Sequence, residues 1–324
     1  MGWGERTRRV GHPRAHTLLP KDERGDHSAT SKFLNNFDNV SSCHGCPNCR
    51  RAPGRQVSAV CETAANKKSA SPAPTMCSLE KRGRVYVLTL TGDGEHRFSP
   101  VVIDALRSTL ARVRSEATAD PLGGAALVTA GEGKFFSNGF DLAWANEAGS
   151  PDAARARLLQ MVTAFAPVVA DMLSLPMPTI AAVTGHAAAA GMMLALSHDH
   201  VLMKGDRAVL YMSELDIGLN FPDYFMALMR SKIGDPRALR DVALRAAKIK
   251  AAEAVKMGII DGAYPTASET MEAALQLGEK LAGRKWDGQV YASIRKGAFP
   301  ELCKAVGVEE EEDEEKRKVF TSRL

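Results

Sequence analysis

"PTIAAVTGHAAAAGMMLALSHD", residues 178–199, is an apolar run that meets a Gly-His pair, four alanines and a second Gly, then resumes as a Leu/Ala/Met segment. Thr179 to Val183 reads as a short strand, since a brief uninterrupted apolar stretch bounded by turn residues suits a strand buried on both faces. The segment after Gly191 is helix-like and carries hardly any reactive side chain. The first N–H groups of a helix have no intrahelical acceptor, so a strand-to-helix turn of small residues leaves main-chain donors uncovered. The stretch therefore points to chemistry done by the backbone, with close helix–sheet packing as the alternative reading. No Gly-Lys-Ser/Thr comes after it, which excludes phosphate cradling by a Walker loop.

Working outward, strands and helices alternate. Arg84 to Leu90 reads as a strand. Residues 102, 103, 106, 110 and 113 then form one apolar helix face, with Ser99 as N-cap and Pro100 in the first turn. Residues 125–130 read as a buried strand, 152–175 as a long helix, and Val201 to Lys204 as a further strand. After about residue 222 the pattern turns helical, at 222–233, 236–247, 251–257 and 268–282. Alternation of buried strands with helices predicts an α/β layered fold.

The 324 residues are 45% hydrophobic and 25% charged, enough for one sizeable core. Residues 1–75 are rich in Arg, Ser, Asn, Pro and Gly, show no periodicity, and are read as a disordered extension, with Met76 a candidate start of the working protein. That segment holds 12 Lys/Arg against 6 Asp/Glu, leaving 30 against 32 in the remainder. The net charge of +4 is thus no global basic field, and nucleic-acid binding is not expected outside the N-terminal arm. No stretch reaches the roughly 18 uninterrupted apolar residues of a membrane span, and no signal-peptide core opens the chain.

Four of the six cysteines lie in the N-terminal segment, so no disulfide framework is expected. "CHGCPNC" (43–49) lacks the folded element that separates the two Cys pairs of a zinc site, and a metal is not expected there. His186 and His198-Asp199 do not form a hydrolase relay, because no motif places a nucleophilic Ser; His198 is expected to face a strand or solvent. "EEEEDEEKRK" (309–318) reads as a solvated tail or helix.

Three further stretches belong with the first: "GKFFSNGFDLA" (133–143), "LYMSELDIGLNFP" (210–222) and "AAEAVKMGIIDGAY" (251–264). Asp141 in the first of these also suits a helix cap. Together, over about residues 80–265, they resemble the crotonase family, the enoyl-CoA hydratase/isomerase superfamily. The resemblance implies an α/β, crotonase-like spiral of ββα units with a helical C-terminal region. It divides the chain into the extension 1–75, a catalytic core 76–265 and a helical, acid-tailed region 266–324, and implies a homo-oligomer, trimer or hexamer.

By the same resemblance, two backbone N–H groups form an oxyanion hole: Phe140, after the Gly of the first loop, and Ala190, in the small-residue turn. Where relatives often have Gly, this chain has Ala at 190, which narrows the backbone angles available. Of the two glutamates used by hydratases, the first falls on Met193 and the second on Glu214. A solitary acid resembles the Δ3,Δ2-enoyl-CoA isomerases, the plant peroxisomal members in particular. Glu214 then takes a C2 proton from a 3-enoyl-CoA and returns it at C4, and needs no metal or redox cofactor. Met192, Met193, Leu215 and Phe221 are expected to line an apolar pocket that raises the Glu214 pKa.

Coenzyme A, as part of the acyl-CoA substrate, is implied to lie along Ser137, Asn138, Gly139, Asp141 and Leu142. Arg97 and Lys134 are candidates for its phosphates, and Gly191 and Met193 lie beside the second donor. The final Ser322-Arg323-Leu324 varies the Ser-Lys-Leu peroxisomal address, implying a peroxisomal import receptor as partner. Other readings are a hydratase or dienoyl-CoA isomerase of the family, a non-catalytic acyl-CoA-binding protein on this fold, and an RNA-binding relative using the basic arm.

Overall fold

The structure, a computed structural model, describes residues 76–120 and 123–308. The N-terminal extension with its Cys43–Cys49 motif, the acidic run and the Ser-Arg-Leu terminus lie outside them.

The described elements run in this order: β1 (Cys77–Arg82), β2 (Val85–Leu90), α1 (Pro100–Ala119), β3 (Ala126–Gly131), β4 (Phe135–Ser137), α2 (Leu142–Asn146) and α3 (Pro151–Leu173). Next come β5 (Thr179–Val183), β6 (His186–Ala188), α4 (Ala190–Leu196), β7 (His200–Lys204) and β8 (Val209–Tyr211). The remainder is α5 (Asp223–Lys232), α6 (Pro236–Arg245), β9 (Ile249–Lys250), α7 (Ala251–Lys256), β10 (Gly262–Tyr264), α8 (Ala267–Ala282), α9 (Gly288–Ala298) and α10 (Pro300–Ala305).

Two sheets result. The larger has the order β1-β2-β3-β5-β7-β10, parallel except for the β1–β2 hairpin; the smaller has the order β4-β6-β8-β9, with β4, β6 and β8 parallel. The chain lays a strand in the large sheet, bends within a few residues into a strand of the small one, then leaves through one or more helices. Three successive passes, β3–β4, β5–β6 and β7–β8, take this course, which is the ββα spiral.

The large sheet is buried on both faces, as parallel strands require. Val85, Val87, Val128, Ile180 and Ala182 face α8, while Tyr86, Leu88, Leu90, Leu127, Ala181 and Val183 face the larger core with α1 and α3. α8 starts with a capping box, Thr266 with Glu269, and Gly278 lets it approach the sheet, since a Cβ there would lie 3.0 Å from Val85. In α1 the five apolar positions of the sequence pattern are all buried, and Ser99 caps the helix with Pro100 in the first turn. α3 is long and apolar enough by length and composition to cross a membrane, and it lays Met161, Phe165, Val168, Val169 and Met172 into this core.

A buried ion pair ties α9 to the centre. Arg295, 5% exposed, donates to both carboxylate oxygens of Asp199 (Nε to Oδ1 2.7 Å, Nη2 to Oδ2 2.6 Å) and to the carbonyls of Leu175 (2.7 Å) and Met177 (2.5 Å). Asp199 also accepts from Thr179 N–H at 2.9 Å. Burial alone would raise the Asp199 pKa, but Arg295, with help from Lys232 and Thr179, holds it below the ordinary carboxylate value.

Several expectations need correction. β1 precedes Arg84–Leu90; it is a polar edge strand, LEKR in its second half, whose side chains are largely exposed. β4, β6 and β8 have three residues each, too few to display a period of two. Of the two surroundings expected for His198, strand or solvent, it has the first: it is 1% exposed, with Nδ1 2.9 Å from Leu194 O and Nε2 2.8 Å from Thr129 Oγ1 on β3, and desolvation lowers its pKa to about 4.

Candidate active site

The small sheet organises the site. Because β4, β6 and β8 are adjacent and parallel, their C-terminal ends open side by side, and each is succeeded within three residues by one residue of the implied constellation: Phe140, Ala190 and Glu214. Open α/β sheets present ligand sites at this edge for the same reason.

The β4 loop is held by the segment before α1. Asn138 N–H donates to Glu95 O (2.8 Å), Phe98 N–H to Gly139 O (2.7 Å) and Asp141 N–H to Phe98 O (3.3 Å). Phe140 forms a parallel bridge to Phe98 through its neighbours' groups, so its own N–H is turned the other way and finds no acceptor among the described residues. Gly139 has φ +77°, a left-handed value that favours Gly. A Cβ there would come within 3.1 Å of Ala188 O and 3.5 Å of Ala190 N, so the two loops touch at this point. The Phe140 ring packs against Phe165 (centroids 5.7 Å) and Phe225 (6.2 Å), anchoring the residue whose N–H is left open.

Just after β6, Ala189 N–H donates to Tyr211 O (2.9 Å), and Met193 N–H in α4 to Ala189 O (3.1 Å). Ala190 N–H at the start of α4 has no acceptor among the described residues. The backbone demand expected at Ala190 falls instead on Ala189, which adopts φ 48°, ψ −122°. Gly191 is where the turn meets the first loop, since a Cβ there would collide with Ser137 O.

Glu214 comes after β8 in a turn closed by Leu219 N–H to Glu214 O (2.9 Å). It is 8% exposed, and its Oε2 has no hydrogen-bond partner among the described residues. Desolvation raises its pKa to about 7 against the opposing pull of the Glu214 and Ser213 N–H groups. It lines a cavity of about 620 Å³ together with Phe140, Leu142, Leu158, Val162, Phe221, Phe225 and others from α2, α3 and the 218–222 loop. Glu214 is the only carboxylate among those lining residues.

The remaining candidates are spread more widely. Ser137 is buried, donating to His96 O (2.8 Å) and accepting from Gly139 N–H (3.3 Å). Asp141 caps α2 by accepting from Trp144 N–H at 3.0 Å. Asn138 donates to Glu95 Oε2 (2.9 Å), which also pairs with Arg97. Lys134 stands over the Phe135 ring, 5.3 Å from its centroid. Of the implied site residues only Glu214, Phe140 and Leu142 line the cavity; Ala190, Ser137, Gly139, Gly191 and Met193 do not, nor do Arg97, Lys134, Asn138 and Asp141.

The expected pocket lining is corrected in part. Phe221 lines the cavity, but Met192 and Met193 are fully buried in the core, and Leu215 is 54% exposed outside it. The apolar wall comes instead from α2 and α3, two helices whose facing residues no local motif marks. Among the described residues no group of three or more His, Cys, Asp and Glu side chains is placed to hold a metal ion.

Comparison with known proteins bears on the family and the fold. Residues 85–310 match the enoyl-CoA hydratase/isomerase family model. The chain is 58% identical to the peroxisomal enoyl-CoA delta isomerase 2 of Arabidopsis thaliana over 72% of its own length and 96% of the relative's. It is 53% identical to the peroxisomal enoyl-CoA delta isomerase 1 of the same plant over 70% and 91%. Among solved structures, an apo enoyl-CoA isomerase from Mtb superposes with a TM-score of 0.62 at 22% identity, covering 72% of this chain and 94% of that one, a likeness of fold. With two strand-end loops meeting beside a buried carboxylate on a ββα spiral, and with the family model spanning most of the described residues, this chain belongs to the enoyl-CoA hydratase/isomerase family.

Proposed function

We propose that this chain is a Δ3,Δ2-enoyl-CoA isomerase, which converts 3-enoyl-CoA to trans-2-enoyl-CoA in peroxisomal β-oxidation of unsaturated fatty acids. The observation that carries the reading is Glu214, a buried carboxylate whose Oε2 has no partner among the described residues and the only carboxylate lining the cavity it shares with Phe140. The high identity to two plant peroxisomal isomerases supports it.

The mechanism rests on the acidity of the C2 hydrogens, whose removal spreads negative charge onto the thioester oxygen. Glu214 accepts a C2 proton, the electron pair moves into a dienolate, and the same carboxyl group delivers the proton to C4 as the double bond settles between C2 and C3. Phe140 and Ala190 N–H donate to the thioester oxygen as its charge grows, each contributing on the order of 3 kcal/mol in the transition state. No net proton is gained or lost, so one carboxyl group suffices. An apolar wall that brings its pKa to about 7 leaves both forms accessible near neutrality. Coenzyme A enters as part of the substrate, and nothing in this sequence of steps calls for a metal or redox cofactor.

Hydration would require a second group to orient water. At the position implied for it stands Met193, an apolar side chain fully buried in the core. The test is to give the full chain 3-hexenoyl-CoA and monitor the absorbance of the conjugated 2-enoyl thioester. Isomerisation is expected, with little 3-hydroxyacyl product when 2-hexenoyl-CoA is supplied separately; hydration of 2-hexenoyl-CoA with no turnover of 3-hexenoyl-CoA would overturn the reading. Because the base must be ionised, kcat/KM should rise with pH through about 7 and level off above it. A profile flat from pH 5 to 9 would remove Glu214 from the role.

The terminal Ser322-Arg323-Leu324 supports import through a peroxisomal receptor. A fluorescent fusion lacking those three residues should move from peroxisomes to the cytosol. The family resemblance supports a homo-oligomer, trimer or hexamer, and the division into a catalytic core at 76–265 with a helical region after it.

A further inference from the structure

Ala189 lies at φ 48°, ψ −122°. Those angles match the first central position of a type II′ turn, which Gly occupies without strain and an L residue does not. Ala246, by contrast, closes α6 at φ 45°, ψ 39°, the ordinary left-handed region. Strain retained at a functional edge suggests that the side chain responsible is used there.

The Ala189 methyl group has a definite neighbour. A Cβ built on Gly139 would lie 3.1 Å from the Ala189 Cβ, so the methyl faces the residue whose peptide carries the Phe140 N–H. Gly139 is fixed on its far side, its carbonyl accepting from Phe98 N–H and its N–H donating to Ser137 Oγ. Ala189 is fixed by its bond to Tyr211 O and by Met193 N–H. Ala188 O and the Gly191–Ser137 approach bring the two segments together as well, and the Ala189 methyl is the side chain at that seam that faces Gly139. We propose that Ala189 is a positioning residue, its methyl a spacer that fixes the separation of the Phe140 and Ala190 N–H groups. This rests on the assignment of those groups as the oxyanion donors.

The experiment compares wild type with Ala189→Gly. Relief of the turn should raise Tm by about 2–4 °C, the reverse of the usual effect of Gly for Ala. If the spacer is used, kcat for 3-hexenoyl-CoA should fall about tenfold with KM nearly unchanged, as for a small misplacement of transition-state donors. Cinnamoyl-CoA supplies a separate readout, since its absorbance moves to longer wavelength when its carbonyl is polarised. Wild type should show that shift, and Ala189→Gly should bind the probe equally well with a smaller one. A variant with unchanged kcat and an unchanged shift overturns the spacer while leaving the donor pair intact. Wild type that binds the probe without any shift overturns the donor assignment, and the spacer with it.

Discussion

Glu214→Gln lowers kcat by about 10²–10⁴-fold while KM changes little, because the amide keeps the shape of the carboxylate and cannot accept the C2 proton. The measurement is the conjugation assay on 3-hexenoyl-CoA, and full activity in the variant would disprove the assignment of the base. The same substitution should act on stability in the opposite direction. A carboxyl whose folded pKa is raised to about 7 from 4.5 contributes stability that is fully present below its unfolded pKa and lost as pH rises through 7. At pH 8 the wild type therefore carries up to about 3 kcal/mol of desolvation cost that the neutral amide avoids. Glu214→Gln should accordingly melt higher than wild type at pH 8, with a smaller difference at pH 5. Loss of rate joined to gain of stability is the signature of a group kept for chemistry.

The second large effect is structural. Among the described residues, Arg295→Met removes the one cation bonded to the largely buried Asp199, leaving it only Thr179 and Tyr291 as donors, and leaves the carbonyls of Leu175 and Met177 without theirs. An intact buried ion pair is weak evidence of net stabilisation, but breaking one strands a charge, at about 3–5 kcal/mol. Urea or thermal unfolding should show that loss, and Asp199→Asn in the same background should recover part of it. A variant within about 1 kcal/mol of wild type, the effect of an ordinary point substitution, would contradict the account. The pH dependence has the opposite sign to that of Glu214. With its folded pKa held below 3.8, Asp199 contributes stability present above its unfolded pKa and lost only as pH falls below about 4.

Much of this was legible in the residues. The α1 pattern and the run at 179–183 marked elements that the structure places with little change, because both rest on local periodicity and caps. Bare loops and a lone Glu in a recurring arrangement indicated the strand ends at which the structure places Phe140, Ala190 and Glu214. The three-residue strands β4, β6 and β8 were not legible, since they are defined by their neighbours in a sheet and not by any pattern of their own. The same holds for the cavity wall. Its residues on α2 and α3 are selected by how those helices pack, whereas Met192 and Met193, adjacent in sequence to the donor turn, point into the core. For His198 strand and solvent both stayed open in the sequence, because its partner on β3, Thr129, lies 69 residues away. The strain at Ala189 is a property of ψ, which composition does not disclose.

The arrangement of β4, β6 and β8 has a bearing on how such a protein diversifies. Because the proposed base and donors arrive on separate passes of the spiral, a substitution at one strand end should alter one step of the reaction and leave the other ends in register. Met193 lies one turn of α4 beyond Ala190, on the pass that carries the proposed donor, so an acid gained there should change what happens to the enolate without disturbing how it is held. The scaffold thus separates stabilising the intermediate from choosing its fate.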